Sequence, residues 1–91
     1  MKGKILIAED DIDIVEILDL YLTSEGYYIK ATYDGEEALC TVNEDEYDLC
    51  IIDIMMPKMD GYKLIKEIRK SHTMPIIVVS GAYFGDKMSP L

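Results

Sequence analysis

Basic residues are scarce in this sequence of 91 residues, which has 9 lysines and arginines against 18 aspartates and glutamates. The formal net charge of −9 has the wrong sign for a domain that binds nucleic acid through its phosphates, so we expect no direct nucleic-acid binding. Apolar residues make up 49% of the chain, which is too many for a disordered acidic tail. The excess of carboxylates indicates instead that the partners are cations or a basic protein surface.

Long apolar segments are also missing. Runs such as Leu49–Ile52 and Ile76–Val79 are far shorter than the roughly 20 residues that a membrane-spanning helix needs. The amino terminus, residues 1–4, leads directly into a strand-like segment and does not resemble a secretory signal. A chain of this length forms one domain at most. We therefore expect a single cytoplasmic domain that does not contact a membrane.

Cysteine and histidine, which are common zinc ligands, are nearly absent. Cys40 and Cys50 belong to no Cys-x-x-Cys motif, and His72 is the single histidine of the chain. This pattern argues against a zinc site. We expect both cysteines to be reduced and packed in the protein interior, and His72, which lies in a polar segment, to be solvated.

Strand-like and helix-like segments alternate along the chain. Short apolar runs rich in β-branched residues predict buried strands, and apolar residues that recur every three or four positions predict helices. The predicted strands cover residues 4–8, 27–32, 48–53 and 75–80, and the predicted helices cover residues 12–25, a short segment after Asp34, and residues 61–70. The inward face of the first helix is predicted to consist of Ile14, Val15, Leu18, Tyr21 and Leu22. This order implies an α/β fold with a parallel sheet and helices on both faces.

Acidic residues follow two of the predicted strands at the point where each strand ends. Glu9, Asp10 and Asp11 come directly after the first strand, and Asp53 ends the third. If these strands are neighbours, the carboxylates meet at one edge of the sheet, where their repulsion favours a shared cation. Oxygen ligands without histidine or thiolate favour Mg²⁺. The alternative is that the acids only cap the next helix, a role that suits Asp11 and Asp13.

The segment that starts at Asp53 carries a family resemblance. Residues 53–61, Asp-Ile-Met-Met-Pro-Lys-Met-Asp-Gly, resemble the D-x-x-M-P-x-M-D-G signature of the receiver domains of two-component response regulators. The acidic pair Glu9 and Asp10, and the hydroxyl residue Ser80 at the end of the fourth strand, match that family in order and spacing. The resemblance covers residues 4–81 and implies a flavodoxin-like (CheY-like) fold.

The resemblance implies a role for each matching residue. Asp53 would be the phosphoacceptor, which attacks a phosphohistidine on a sensor histidine kinase. Glu9, Asp10, Asp53 and the backbone carbonyl of Met55 would bind Mg²⁺, with Glu9 acting through water, and the ion would neutralise charge on the phosphoryl group. Ser80 would donate a hydrogen bond to a phosphoryl oxygen.

Two further residues of the signature, Pro57 and Gly61, would shape the loop that holds Asp53 at the end of its strand. Proline and glycine are also common in ordinary turns and at helix ends, and that simpler interpretation is compatible with the loop-shaping role. The segment would thus combine a phosphoacceptor, a metal ligand and the turn that presents them.

The sequence departs from the family pattern after the fourth strand. Receiver domains continue with a fourth helix, a fifth strand that carries a lysine and an aromatic residue, and a fifth helix, none of which the sequence predicts here. Lys87 lies close behind Ser80 and on no predicted strand, so we do not equate it with that lysine. We therefore expect an incomplete receiver domain over residues 1–81, with strand order 2-1-3-4, and an irregular tail over residues 82–91.

The fourth strand, Ile76–Val79, would then have an exposed apolar edge. Such edges pair readily with other molecules, and large apolar patches seldom remain solvated. We expect the chain to self-associate through this edge.

We interpret the sequence as the phosphoacceptor receiver domain of a response regulator, a signalling domain rather than an enzyme, whose parent protein is a transcriptional regulator. One alternative is a Mg²⁺-dependent phosphatase with an aspartyl-phosphate intermediate, but those enzymes need a second aspartate where this sequence has Met55. Another alternative is a receiver-like fragment that acts only through protein contacts. The intact set of acidic residues argues against that alternative, but the lack of a counterpart to the family's lysine keeps it open.

Overall fold

Seven secondary-structure elements alternate between strand and helix in the computed structural model, which describes residues 2–79. They are β1 (Gly3–Ala8), α1 (Ile12–Ser24), β2 (Tyr27–Thr32), α2 (Gly35–Glu44), β3 (Leu49–Asp53), α3 (Gly61–Ile68) and β4 (Ile76–Val79). The predicted element order is confirmed, and the largest difference in a boundary is that α3 ends two residues before the predicted Lys70. Ser80, Lys87 and the predicted tail over residues 82–91 lie outside the described residues.

The four strands form one parallel sheet in the order β2-β1-β3-β4, which confirms the expected topology. In the register of the sheet, Ala8 at the end of β1 is paired with Thr32 of β2 and with Ile52 of β3. The residue after Ala8 therefore lies beside Asp53, the residue after Ile52. This register is what brings the acids that follow β1 next to the acid that ends β3.

Helices cover both faces of the sheet and create two apolar clusters. Alternate residues of β1 and β3 point to opposite faces, because side chains along a strand alternate in direction. One cluster, between the sheet and the pair α2 and α3, contains Leu6, Ala8, Ala38, Val42, Cys50, Ile52, Leu64 and Ile68. The other cluster, beneath α1, contains Ile5, Ile7, Val15 and Ile51.

Within residues 2–79, no helix has both the length and the apolar character that crossing a membrane requires.

An aspartate caps the amino-terminal end of each helix. Asp11 accepts hydrogen bonds from the backbone N–H groups of Asp13 and Ile14 at 3.0 and 3.4 Å, and Asp34 and Asp60 cap α2 and α3 in the same way. These bonds satisfy amide groups that have no partner within the helix. The predicted capping role of Asp11 is confirmed, but that of Asp13 is wrong, because Asp13 lies in the first turn of the helix.

Two other expectations about single residues are wrong. The side chain of Tyr21 is 63% exposed. Successive residues of a helix are rotated by about 100°, so Tyr21 lies outside the inward stripe of α1, which passes through Val15 and Leu22. Cys40 is exposed, because the buried face of α2 lies on the other side of that helix, whereas Cys50 is buried as expected. His72 is partly buried, and its Nε2 lies at hydrogen-bond distance, 2.8 Å, from Oδ1 of Asn43.

β4 lies at an edge of the described sheet, and it exposes an apolar side chain on each face. Ile77 and Val78 are 49% and 44% exposed. They point to opposite faces of the sheet, because they are adjacent along the strand. Among residues 2–79, this edge has no strand paired with it and exposes apolar side chains, the combination that favours pairing between molecules.

We expect the mean mass of the 91-residue chain in light scattering to rise with protein concentration, because β4 can pair with another copy. Ile77→Lys should return the mass towards that of a monomer, since a charged side chain on an edge strand opposes such pairing. Thr23→Lys, at an exposed position on α1, adds the same charge and should leave the association unchanged. A monomeric mass at every concentration would contradict this expectation.

Candidate metal centre

Three carboxylates meet at the carboxyl edge of the sheet. Glu9 and Asp10 follow β1, Asp53 ends β3, and one oxygen atom from each side chain lies within 4.8 Å of the other two. Asp11 and Asp13 do not belong to this group, and the Oδ1 atom of Asp11 is engaged in capping α1. The structure therefore brings together the three carboxylates that the sequence analysis assigned to a metal site and separates them from the two acids for which capping was the alternative.

Glu9 is held in place by its backbone and is almost completely buried. Its backbone N–H donates to the carbonyl of Thr32 at 3.0 Å, which continues the pairing of β1 with β2 by one residue. The side chain is 2% exposed, and Oε2 accepts a hydrogen bond from the backbone N–H of Asp11 at 3.1 Å. Among the described residues, Oε1 is buried without a hydrogen-bond partner. An oxygen in this position is available to a cation or to a water molecule bound to one.

The electrostatic environment of Glu9 disfavours its charged form. The pKa of Glu9 is raised from 4.5 to about 7. Burial is the largest cause, the hydrogen bond from the backbone N–H of Asp11 lowers the pKa, and the carboxyls of Asp53 and Asp10 raise it further. Burial and negative neighbours both raise the pKa of an acid. A divalent cation at this place would reverse the effect of the neighbouring charges, since it would attract all three carboxylates. The oxygen-only donor set, which is buried at Glu9 and Asp53, therefore fits Mg²⁺.

Asp53 is positioned by β3 and by the loop that follows it. The side chain is 3% exposed, and Oδ1 accepts a hydrogen bond from the backbone N–H of Met55 at 3.2 Å. This bond keeps the backbone of Met55 beside the carboxylate group, while the side chain of Met55 is exposed. The predicted carbonyl ligand and the predicted phosphoacceptor are thus parts of one short hydrogen-bonded turn.

The loop between β3 and α3 is closed by tight backbone contacts. The N–H of Gly61 donates to the carbonyl of Ile54 at 2.8 Å, and a Cβ atom on Gly61 would lie 2.6 Å from the Cα atom of Ile54. Only glycine fits such an approach without displacing the loop. The carbonyl of Pro57 accepts a hydrogen bond from the N–H of Met59 at 2.7 Å, which closes a three-residue turn.

Four residues near the site were not singled out as site residues by the sequence analysis. Thr32 is buried and donates from Oγ1 to the carbonyl of Ile7 at 2.7 Å, which fixes the end of β2 beside Glu9. Asp34 and Gly35 contact the loop after β3, and Lys58 in that loop has a positive φ of 69°. The sequence analysis predicted a short helix after Asp34, but no sequence signal indicated that the start of this helix contacts the distant loop.

The family model of the response regulator receiver domain matches residues 5–88. The chain therefore belongs to the response-regulator receiver domain family.

Named relatives agree with this assignment. The response regulator GtcR of Aneurinibacillus migulanus is 45% identical over 80 residues, which are 88% of this chain and 33% of that protein. The regulatory protein VanR of Enterococcus faecium is 41% identical over 81 residues, which are 89% of this chain and 35% of that protein. The chain spans about a third of the length of the curated relatives that it matches.

Solved structures show the same fold. The receiver domain of the Francisella response regulator 1452 superposes with a TM-score of 0.84 at 33% identity, covering 98% of this chain and 74% of that one. The response regulator TrrA of Thermotoga maritima, solved in complex with Mg(2+)-BeF, superposes with a TM-score of 0.79 at 37% identity, covering 91% of this chain and 75% of that one.

We expect Glu9→Gln to stabilise the protein at pH 8, in the presence of a chelator, because the neutral amide removes the charge that burial and the neighbouring carboxyls disfavour. The folded-state pKa of Glu9, about 7, lies above its ordinary value of 4.5. The contribution of protonated Glu9 to the free energy of unfolding is therefore complete below pH 4.5 and is lost as the pH rises through 7.

Chemical denaturation at pH 5 and pH 8 measures this effect, and the gain from Glu9→Gln should be confined to the higher pH. Glu16→Gln is the matched control, because Glu16 is exposed on α1. An equal gain in the control, or a gain from Glu9→Gln that does not change with pH, would show that the burial of Glu9 is not the cause.

Proposed function

We propose that this chain accepts a phosphoryl group on Asp53 from a phosphohistidine of a sensor histidine kinase, in a reaction that needs Mg²⁺. The observation that carries the proposal is the convergence of Glu9, Asp10 and Asp53 within 4.8 Å at the carboxyl edge of the sheet, with two of the three side chains buried. Open parallel sheets place their functional sites at this edge.

The proposed metal ligands are Glu9, Asp10, Asp53 and the backbone carbonyl of Met55. Glu9, whose Oε1 has no hydrogen-bond partner among the described residues, acts through a water molecule, and Asp10 and Asp53 bind directly. When bound, Mg²⁺ supplies positive charge that offsets the negative charge of the phosphoryl oxygens. The same charge makes the close approach of three carboxylates favourable.

Asp53 is the proposed nucleophile. One carboxylate oxygen forms a bond to phosphorus while the bond between phosphorus and the imidazole nitrogen of the kinase breaks, and that nitrogen keeps the electron pair. The hydrogen bond from Met55 to Oδ1 orients the carboxylate group at the end of β3. Ser80, which follows the last described residue, is the proposed donor to a phosphoryl oxygen, and Pro57 and Gly61 hold the loop in shape.

The proposed parent protein is a response regulator that controls transcription. The support comes from the relatives, which include the probable transcriptional regulator ycf27 of Guillardia theta, 44% identical over 79 residues. With a net charge of −9, this chain is not the part that would bind DNA. Its proposed contribution is to receive the signal as a phosphoryl group, without turning over a substrate as an enzyme does.

We expect incubation with acetyl phosphate and Mg²⁺ to raise the intact mass of the chain by one phosphoryl group, and Asp53→Ala to abolish this adduct. Asp19→Asn, which alters an exposed aspartate on α1, should be phosphorylated like the unaltered chain. Mass spectrometry of the intact protein measures the result. An adduct that persists in Asp53→Ala would place phosphorylation elsewhere, and no adduct on the unaltered chain would favour a domain that acts only through protein contacts.

We expect Asp10→Asn to abolish measurable Mg²⁺ binding, because it removes a charged ligand from the exposed side of the carboxylate cluster. Asp13→Asn is the matched control, since Asp13 carries the same charge three residues away but contributes no oxygen to the cluster. Magnesium titrations followed by amide chemical shifts in NMR spectra provide the measurement. Equal losses in the two variants would contradict the ligand assignment.

A further inference from the structure

The amino-terminal end of α2 lies directly against the loop that follows Asp53. A Cβ atom on Gly35, the first residue of α2, would lie 2.6 Å from Cβ of Met59 and would also collide with the backbone carbonyl of Met59. Real Cβ atoms do not approach other atoms so closely, so any side chain at position 35 would displace the loop. The first turn of α2 and the loop therefore pack backbone against backbone.

Asp34, the residue before this glycine, makes a second connection to the same loop. Its Oδ1 accepts a hydrogen bond from the backbone N–H of Glu37 at 2.8 Å and so caps α2, while its Oδ2 lies 3.6 Å from Nζ of Lys58. The backbone N–H of Glu37 and the ammonium group of Lys58 both hold the pKa of Asp34 below its usual value. Asp34 is thus charged, fixed by the helix and paired with the loop.

The part of the loop that meets α2 has a strained backbone. Lys58 has a φ of 69°, in the left-handed region that residues other than glycine rarely occupy. The hydrogen bond from the N–H of Met59 to the carbonyl of Pro57 closes a three-residue turn around Lys58, and such turns with positive φ are rare and strained. A strained conformation persists only where its surroundings hold it in place.

The loop is held at three points. At its start, Met55 N–H is bonded to Asp53; at its base, Gly61 N–H is bonded to Ile54. The third point is the contact of the turn Pro57–Met59 with the start of α2, which is made by Lys58 and Met59. This turn begins only two residues beyond Met55 along the chain. Only Met56 separates the backbone of Met55 from this third point along the chain.

We propose that Asp34 and Gly35 are positioning residues of the phosphoacceptor site: the start of α2 clamps the strained turn Pro57–Met59 and thereby sets the place of the Met55 backbone beside Asp53. Neither residue touches the carboxylate cluster, so both act through the loop. This inference rests on the proposed function, because the position of Met55 matters to the extent that its carbonyl binds Mg²⁺.

The main test is Gly35→Ala, whose added Cβ must displace Met59. In the metal-free protein, the amide resonances of residues 54–60 should move in NMR spectra. The affinity for Mg²⁺ should fall by about 10- to 100-fold, the usual effect of altering a residue that supports a metal ligand. The rate of phosphorylation by acetyl phosphate should return to that of the unaltered chain at saturating Mg²⁺, because Asp53 itself is unchanged.

The control for general destabilisation is Leu22→Ala, on α1, which packs against the apolar cluster on the other face of the sheet. It should lower the free energy of unfolding through the loss of core packing, while leaving the Mg²⁺ affinity of the folded protein unchanged. A purely structural role of Gly35 predicts that Gly35→Ala behaves like Leu22→Ala. That result, or loop amides that do not move, would overturn the proposal.

The ion pair provides a second test that does not depend on Gly35→Ala folding. Asp34→Asn keeps a good helix cap but removes the charge, and Lys58→Met keeps the length of the side chain but removes its charge. Each should weaken Mg²⁺ binding by about two- to fivefold, as expected for one exposed ion pair, and the double variant should be no weaker than either single one. Additive losses, or no loss, would overturn the role of the pair.

Lys70→Met is the matched control, since it breaks the exposed ion pair between Lys70 and Glu67 away from the loop, and it should leave Mg²⁺ affinity unchanged. If the unaltered chain binds no Mg²⁺ and accepts no phosphoryl group, the proposed function fails. The metal-free amide spectra then still decide whether the start of α2 positions the loop, so the two failures are distinguishable.

Discussion

The pairing of β1 with β3 in the middle of the sheet is the constraint on which the site depends. Its register places Ile52 beside Ala8, so that the next residues, Asp53 and Glu9, become neighbours at the carboxyl edge. Both side chains are almost fully buried, and their mutual repulsion opposes folding in the absence of a cation. The apolar residues of the two strands offset this cost, since they fill both clusters that hold the helices to the sheet.

The acidic residues at the two edges of the sheet have different surroundings. At the amino edge, the side chain of Lys4 pairs with Asp45, and its backbone N–H donates to Asp48 at 2.8 Å. Among the ion pairs of the described residues at the carboxyl edge, Lys58 pairs with Asp34 and not with the cluster of Glu9, Asp10 and Asp53. The acids at the amino edge thus bind groups that belong to the fold, whereas the carboxyl edge gathers three carboxylates within reach of one cation.

Local patterns in the sequence predicted the parts of this molecule that depend on neighbouring residues. Hydrophobic periodicity located the strands and helices, and the resemblance together with the strand ends located the acidic cluster. The errors at Tyr21 and Cys40 arose because periodicity locates a helix better than it sets the limits of its buried stripe. The contact of Gly35 with Met59 joins residues far apart in the sequence, and it depends on how α2 lies against α3, which no local pattern encodes.

The loop after Asp53 is tied to the interior of the protein as well as to the metal centre. Met56 and Met59 are partly buried and pack against the apolar cluster that α2 and α3 share with the sheet. The positive φ of Lys58 costs about 1–3 kcal/mol, and these methionine contacts together with the start of α2 are what hold it. The loop therefore contacts Asp53 through Met55 and contacts the helix pair through Met56 and Met59. Because packed side chains shift between discrete arrangements more readily than they deform, a displacement of this loop requires Met56 and Met59 to repack against the helix pair.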